Sequence, residues 1–163
     1  MKFFIETYGC TSNMGNSQDL AEALQDLGHI PSSIDEADAV IVNTCAVTEK
    51  TERKVLHRLH QLQGRRLVVA GCLPAAMPAS LSGLSCRGLL GPLNGSSAAK
   101  IEELFGLFRF CPDHMLPSSG RPGRQLFQDL CGIVNVAQGC NSACSYCIVR
   151  KARGSLKSRS PDE

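Results

Sequence analysis

Three short apolar runs, each followed closely by a cysteine, constrain this chain more than any other feature. Phe3-Phe4-Ile5-Glu6-Thr7 reads as a strand ended by Tyr8-Gly9, with Cys10 just past it. Ala37 to Asn43 carries Ala39-Val40-Ile41-Val42, a continuous run typical of a strand buried on both faces, and Cys45 follows. Leu67-Val68-Val69-Ala70 is a third such run, trailed by Gly71 and Cys72, and Gly88-Leu89-Leu90 is a weaker fourth. Between the runs the hydrophobic period switches to that of a helix. Leu20, Leu24 and Leu27 share one face, with Asn16 or Ser17 as the expected cap and Gly28 as the stop. Thr48 is placed to cap a second helix carrying Val55, Leu59 and Leu62, with Arg53, Lys54 and Arg58 on its wet side and Gly64 at its end. A short helix is predicted over Pro74 to Leu81, and another, capped by Ser96, with Ile101, Leu104, Phe105 and Phe108 on one face.

Alternation at this rhythm predicts an α/β fold, a parallel sheet flanked by helices on both faces. In such sheets functional groups gather beyond the carboxyl ends of the strands. Cys10, Cys45 and Cys72 all occupy that position, so three separate βα turns bring three thiols to one edge. Either they share a metal centre, or each is the small buried hydrophobe that free Cys often is.

A second cysteine set lies farther on. Cys140, Cys144 and Cys147 follow C-x₃-C-x₂-C spacing within Gly139-Cys140-Asn141-Ser142-Ala143-Cys144-Ser145-Tyr146-Cys147. A structural zinc site closes a tetrahedron with four ligands, usually from C-x₂-C pairs. Three thiolates suit a [4Fe–4S] cluster that keeps one iron open for chemistry. Gly139, Asn141 and Ser142 are loop formers, and Gly132 to Ala137 just before them reads as a short strand. Zinc and incidental thiols remain the alternatives.

The 163 residues hold nine Cys, 43% hydrophobic residues and a formal charge of +2. The composition is globular, and the length suits one domain plus a piece. No apolar run approaches the ~18 residues that span a bilayer, and Lys2-Phe3-Phe4-Ile5 is cut short by Glu6, unlike a signal-peptide core. No membrane partner is expected. Nine cysteines then mean reduced thiols or metal ligands in the cytoplasm rather than disulfides. Arg150, Lys151, Arg153, Lys157 and Arg159 crowd the end of the chain, where they contact phosphate or simply keep it soluble. Residues 109 to 126, with Pro112, Pro117, Pro122, Gly120 and Gly123, read as a linker. Cys86, Cys111 and Cys131 belong to neither set and are expected to be structural. His57 and His60, three apart, are expected on a solvated helix face.

Glu6-Thr7-Tyr8-Gly9-Cys10, Val42-Asn43-Thr44-Cys45-Ala46-Val47, Ala70-Gly71-Cys72 and the Cys140 loop together resemble the radical S-adenosylmethionine methylthiotransferases over nearly the whole chain. Ile148-Val149-Arg150-Lys151-Ala152-Arg153-Gly154 looks most like the archaeal and eukaryotic branch, which acts on N6-threonylcarbamoyladenosine in tRNA. The resemblance implies an N-terminal methylthiotransferase domain over 1–108, the linker over 109–126, and over 127–163 the first strand and cysteine loop of a truncated radical S-adenosylmethionine barrel. It implies an auxiliary [4Fe–4S] cluster on Cys10, Cys45 and Cys72 and a radical cluster on Cys140, Cys144 and Cys147. The second cluster would bind S-adenosylmethionine and cleave it reductively, and the first would deliver sulfur for a methylthio group at C2 of the modified adenine. Tyr146 is similar to the aromatic beside S-adenosylmethionine in such enzymes, although a ring there also serves simple packing. tRNA and an electron donor would be the partners. A complete barrel takes ~200 residues or more, so the isolated chain is expected not to turn over. A ribosomal-protein methylthiotransferase, a non-catalytic iron–sulfur or electron-transfer module, and a zinc-stabilised binding module are the competing readings.

Overall fold

The computed structural model describes residues 1–106 and 133–160. Five parallel strands form one sheet in the order β2-β1-β3-β4-β5: β1 is Lys2–Thr7, β2 Ile30–Pro31, β3 Ala39–Thr44, β4 Leu67–Gly71 and β5 Gly88–Leu89. Every residue of β3 and β4 is buried, as their unbroken apolar runs require. Pairing aligns Phe3 with Ala39 and Val40 with Leu67, so side chains alternate in register through the sheet.

Helices cover both faces. Leu20 and Leu24 of α1 (Thr11–Asp26) and Ala98 and Ile101 of α4 (Ser97–Leu104) pack on Phe3, Ala39, Ile41 and Val68. Val55 and Leu59 of α2 (Glu49–Gln61), with Leu73 of α3 (Cys72–Ala76), pack on Val40, Val42, Leu67 and Val69. The chain leaves β1 toward β2 on one side and returns to β3 on the other. The switch point of this doubly wound sheet therefore lies between β1 and β3, where Cys10 and Cys45 stand.

Several local expectations change. Helix α1 begins at Thr11 with Cys10 in the N-cap position, not at Asn16 or Ser17, which lie buried within the helix. The edge strand β2 carried no readable signal, being two residues long and containing Pro31. The helix expected over Pro74 to Leu81 divides into α3 and a 3₁₀ turn at Pro78–Leu81, because Met77 precedes a proline and leaves the helical region (φ −140°, ψ 58°). Thr48 caps α2 as expected, its Oγ1 accepting from Thr51 N–H at 3.3 Å. At α4 Ser96 holds the N-cap position as expected, but its side chain makes no capping bond; Ser97 Oγ accepts from Asn94 N–H, just ahead of the helix, at 3.1 Å. Phe108, Cys111, Cys131 and the predicted linker lie outside the described residues.

The strand expected over Gly132 to Ala137 is displaced: β6 covers Ala137–Gln138, sharing only Ala137 with the expected run, and pairs antiparallel with β7, Lys157–Ser158. Helix α5, Ile148–Arg153, lies between them and packs its Ile148 and Ala152 toward the α2 and α3 side of the core. The basic residues Arg150, Lys151 and Arg153 therefore lie on a helix and Lys157 on a strand. Among the described residues no helix is long and apolar enough to cross a membrane.

Candidate metal centre

The three βα cysteines converge. Cys10, Cys45 and Cys72 line one cavity of about 230 Å³, whose other wall is formed by Ala137 to Gly139 of the β6 turn and by Ile148, Val149, Ala152 and Arg153 of α5. Cys45 and Cys72 are each 5% exposed, whereas Cys10 faces solvent. Among the described residues no three Cys, His, Asp or Glu side chains are gathered tightly enough to hold a single metal ion. Three thiols lining one cavity are the donor chemistry that an iron–sulfur cluster takes.

A polar network beneath the thiols fixes the turns that carry them. Asn13, in the first turn of α1, donates from Nδ2 to Tyr8 O at 2.7 Å and Thr44 O at 3.0 Å, clamping the Cys10 and Cys45 loops together. Asn43 donates from Nδ2 to Asn13 O at 2.9 Å and Ser17 Oγ at 2.8 Å, and Thr7 Oγ1 donates to Ser17 Oγ at 2.8 Å. Thr44 Oγ1 donates to Ala70 O at 2.6 Å and accepts from Leu73 N at 3.3 Å, tying in the Cys72 turn. Gly9 is at φ +114°, and a Cβ there would stand 2.7 Å from Cys45 Cβ and 3.0 Å from its Sγ. Glycine is what allows the Cys10 turn to approach Cys45.

Electrostatics converge on Cys72. Burial pushes its thiol up, and the adjoining Cys45 and Cys10 push the same way, while the nearby Arg153 guanidinium opposes them. Arg153 comes from the last position of α5 yet reaches into α1: Nη1 donates to Ser12 Oγ at 2.8 Å and Asn16 Oδ1 at 3.2 Å, and Nη2 donates to Asn13 Oδ1. Asn13 Oδ1 also stands 3.9 Å from Cys72 Sγ.

The second set sits on a loop, as its composition predicts. Cys140 N donates to Gly154 O at 3.1 Å, Arg150 Nη1 to Ser142 O at 3.2 Å, and Leu156 N to Asn141 Oδ1 at 3.3 Å, so the loop is strapped to α5 and its exit. Gly139 is at φ +91°, and a Cβ there would meet Ser155 O at 2.2 Å. Ser142 N donates to Cys140 Sγ at 3.4 Å, and this bond draws the thiol below its ordinary value. Cys144 is exposed, Cys140 and Cys147 are half-buried, and Cys147 N-caps α5. Tyr146 is 90% exposed and is not packed on any described core. Cys86 is half-buried against the α2 side of the core, in keeping with a structural role. His57 and His60 lie on the exposed face of α2, next to Gln61 and Gln63.

Sequence reasoning missed Asn13, Asn43 and Arg153. The clearest available signal was the unusual polarity of Asn13, Asn16 and Ser17 inside a helix, which marks a buried polar network.

A family model described as an uncharacterized protein family, UPF0004, matches residues 2–87, the span that holds β1 to β4 and the first three cysteines. Over 176 residues the chain is 34% identical to a probable threonylcarbamoyladenosine tRNA methylthiotransferase of Methanothermobacter thermautotrophicus, covering 99% of this chain and 40% of that protein. A protein of the same name from Pyrococcus abyssi is 35% identical over 100% of this chain and 40% of its own length. A tRNA-2-methylthio-N(6)-dimethylallyladenosine synthase of Dictyoglomus thermophilum is 32% identical, covering 99% and 40% respectively. The chain thus spans about 40% of the length of the curated relatives it matches. With four of its five parallel strands and three cysteine-bearing turns inside the matched span, the chain belongs to the UPF0004 family and is a homologue of tRNA methylthiotransferases.

Proposed function

We propose that this chain is part of a radical S-adenosylmethionine enzyme that inserts a methylthio group at C2 of N6-threonylcarbamoyladenosine in tRNA. One observation carries the reading: thiols from three different βα turns line one cavity, and the opposite wall is the helix that follows the second cysteine set. Cys10, Cys45 and Cys72 would hold an auxiliary [4Fe–4S] cluster, and Cys140, Cys144 and Cys147 the radical one, with residues 127–163 as the start of a radical S-adenosylmethionine domain. Such cofactors supply the one-electron chemistry and the sulfur that side chains lack.

The chain's own contribution is placement. Asn13 and Thr44 set the spacing of the three βα turns. The Ser142 N–H favours the thiolate of Cys140, the form that ligates metal. Tyr146, exposed beside Cys147, would be the aromatic that lies near S-adenosylmethionine. The reading places the protein in the cytoplasm, with tRNA and an electron donor as partners.

Anaerobic iron and acid-labile sulfide analysis tests it, on this chain and on a Cys140→Ala/Cys144→Ala/Cys147→Ala variant. About eight irons are expected in the parent and about four in the variant. Stoichiometric zinc without iron would overturn the reading. Substrate is decided in the full-length enzyme by nucleoside mass spectrometry on tRNAs bearing threonylcarbamoyl or dimethylallyl adenosine. Methylthiolation of the dimethylallyl nucleoside alone would move the assignment to the other group of relatives. A modified ribosomal protein beside unchanged tRNA would replace it.

A further inference from the structure

Arg153 ties the helix that follows the second cysteine set to the helix that follows Cys10. Its helix, α5, is N-capped by Cys147, and the helix it grips, α1, is N-capped by Cys10. Its acceptors on α1, Ser12, Asn13 and Asn16, are neutral. Its cationic neighbour Arg159 is matched instead by Asp19, at 2.6 Å. Arg153 also lines both the thiol cavity and an adjoining polar cavity of about 500 Å³. This half-buried guanidinium is held by neutral oxygens and lines the same cavity as Cys72.

We infer that Arg153 is a positioning residue that docks α5, and with it the Cys140–Cys147 loop, onto the Cys10/Cys45/Cys72 cavity, and that its fixed positive charge tunes the group bound there. The inference rests on the iron–sulfur reading of that cavity for its second half only. A cluster on thiolates is anionic and gains negative charge on reduction, so a fixed cation stabilises the reduced state. Docking and charge are separable by substitution. Arg153→Gln keeps hydrogen-bonding capacity and removes the charge. Arg153→Lys keeps the charge and loses the planar fork that reaches three partners at once.

Two measurements test it. In the metal-free chain, hydrogen exchange monitored by mass spectrometry should show faster exchange in α5 for both variants, with β3 and β4 unchanged. Unaltered protection in α5 would overturn the docking role. In the reconstituted chain, redox titration followed by electron paramagnetic resonance should show one cluster shifted in Arg153→Gln. About tenfold less of its reduced form is expected at a fixed ambient potential, equivalent to about 59 mV more negative for one electron. Arg153→Lys should restore most of that shift, and Arg159→Gln should leave both clusters in place. Equal shifts in the Gln and Lys variants, or none in either, would overturn the electrostatic role. If the Gln variant loads no iron, the uncharged Arg153→Met variant takes its place in the same comparison with Lys. A parent chain that binds no iron defeats the iron–sulfur reading itself, while the exchange measurement still decides the docking.

Discussion

Tyr8 shows how one residue near the cysteines is held by its surroundings. Its hydroxyl donates to Glu6 Oε1 at 2.5 Å, and Arg58 Nε donates to both Glu6 carboxylate oxygens at 3.1 Å. Burial, followed by the Glu6 hydrogen bond and charge, pushes the Tyr8 phenol up to about 12. A raised value favours the protonated native state, so the stabilisation is complete below pH 10 and lost as pH rises through about 12. Ultraviolet titration should show a phenolate transition near 12 that is absent from Tyr8→Phe. At Gly9, substitution by alanine combines a strained positive φ with a clash against Cys45, and should cost about 2 kcal/mol in denaturant unfolding. Asn13→Ala leaves the Tyr8 and Thr44 carbonyls without their donor. It should cost about 2–3 kcal/mol and lower iron retention in the reconstituted chain.

At the scale of elements, what was readable tracks how local the cause is. The β1, β3 and β4 runs and the Thr48 cap are set by residues next to one another, and each was legible. Thr48→Ala should cost about 1 kcal/mol by thermal or chemical unfolding, the ordinary value of a lost cap. The start of α1 was hidden because Thr11-Ser12-Asn13-Met14-Gly15 is a poor helix former in isolation. It becomes helical because Asn13 and Gly15 are needed at close approach, a Cβ on Gly15 lying 2.6 Å from Asn135 Nδ2. Likewise Arg153 read as part of a basic, solvated end. Its partners are about 140 residues earlier in the chain, and no short-range pattern encodes such a contact. The cysteine positions at the strand ends were legible, and the shared cavity followed from them. The α5 wall did not.

Across the whole molecule, two apolar layers lie on opposite faces of one sheet. Leu24 is buried in the α1 and α4 layer and Leu59 in the α2 and α3 layer, both fully covered. Each Leu→Ala change should cost about 3 kcal/mol. Because the two sites share no layer, the double variant should be additive within about 0.5 kcal/mol in chemical denaturation. Strong coupling would mean that the sheet transmits strain between its faces.

The thiol cavity also has a history written into chain order. Cys10, Cys45 and Cys72 arrive with the first domain, but the wall that closes over them comes from residues 137–153. During synthesis the sheet can fold before that wall leaves the ribosome. For that interval the three thiols share a basin open to whatever delivers iron and sulfide. The docking of α5 then adds the second wall of that basin, with Cys10 still facing solvent.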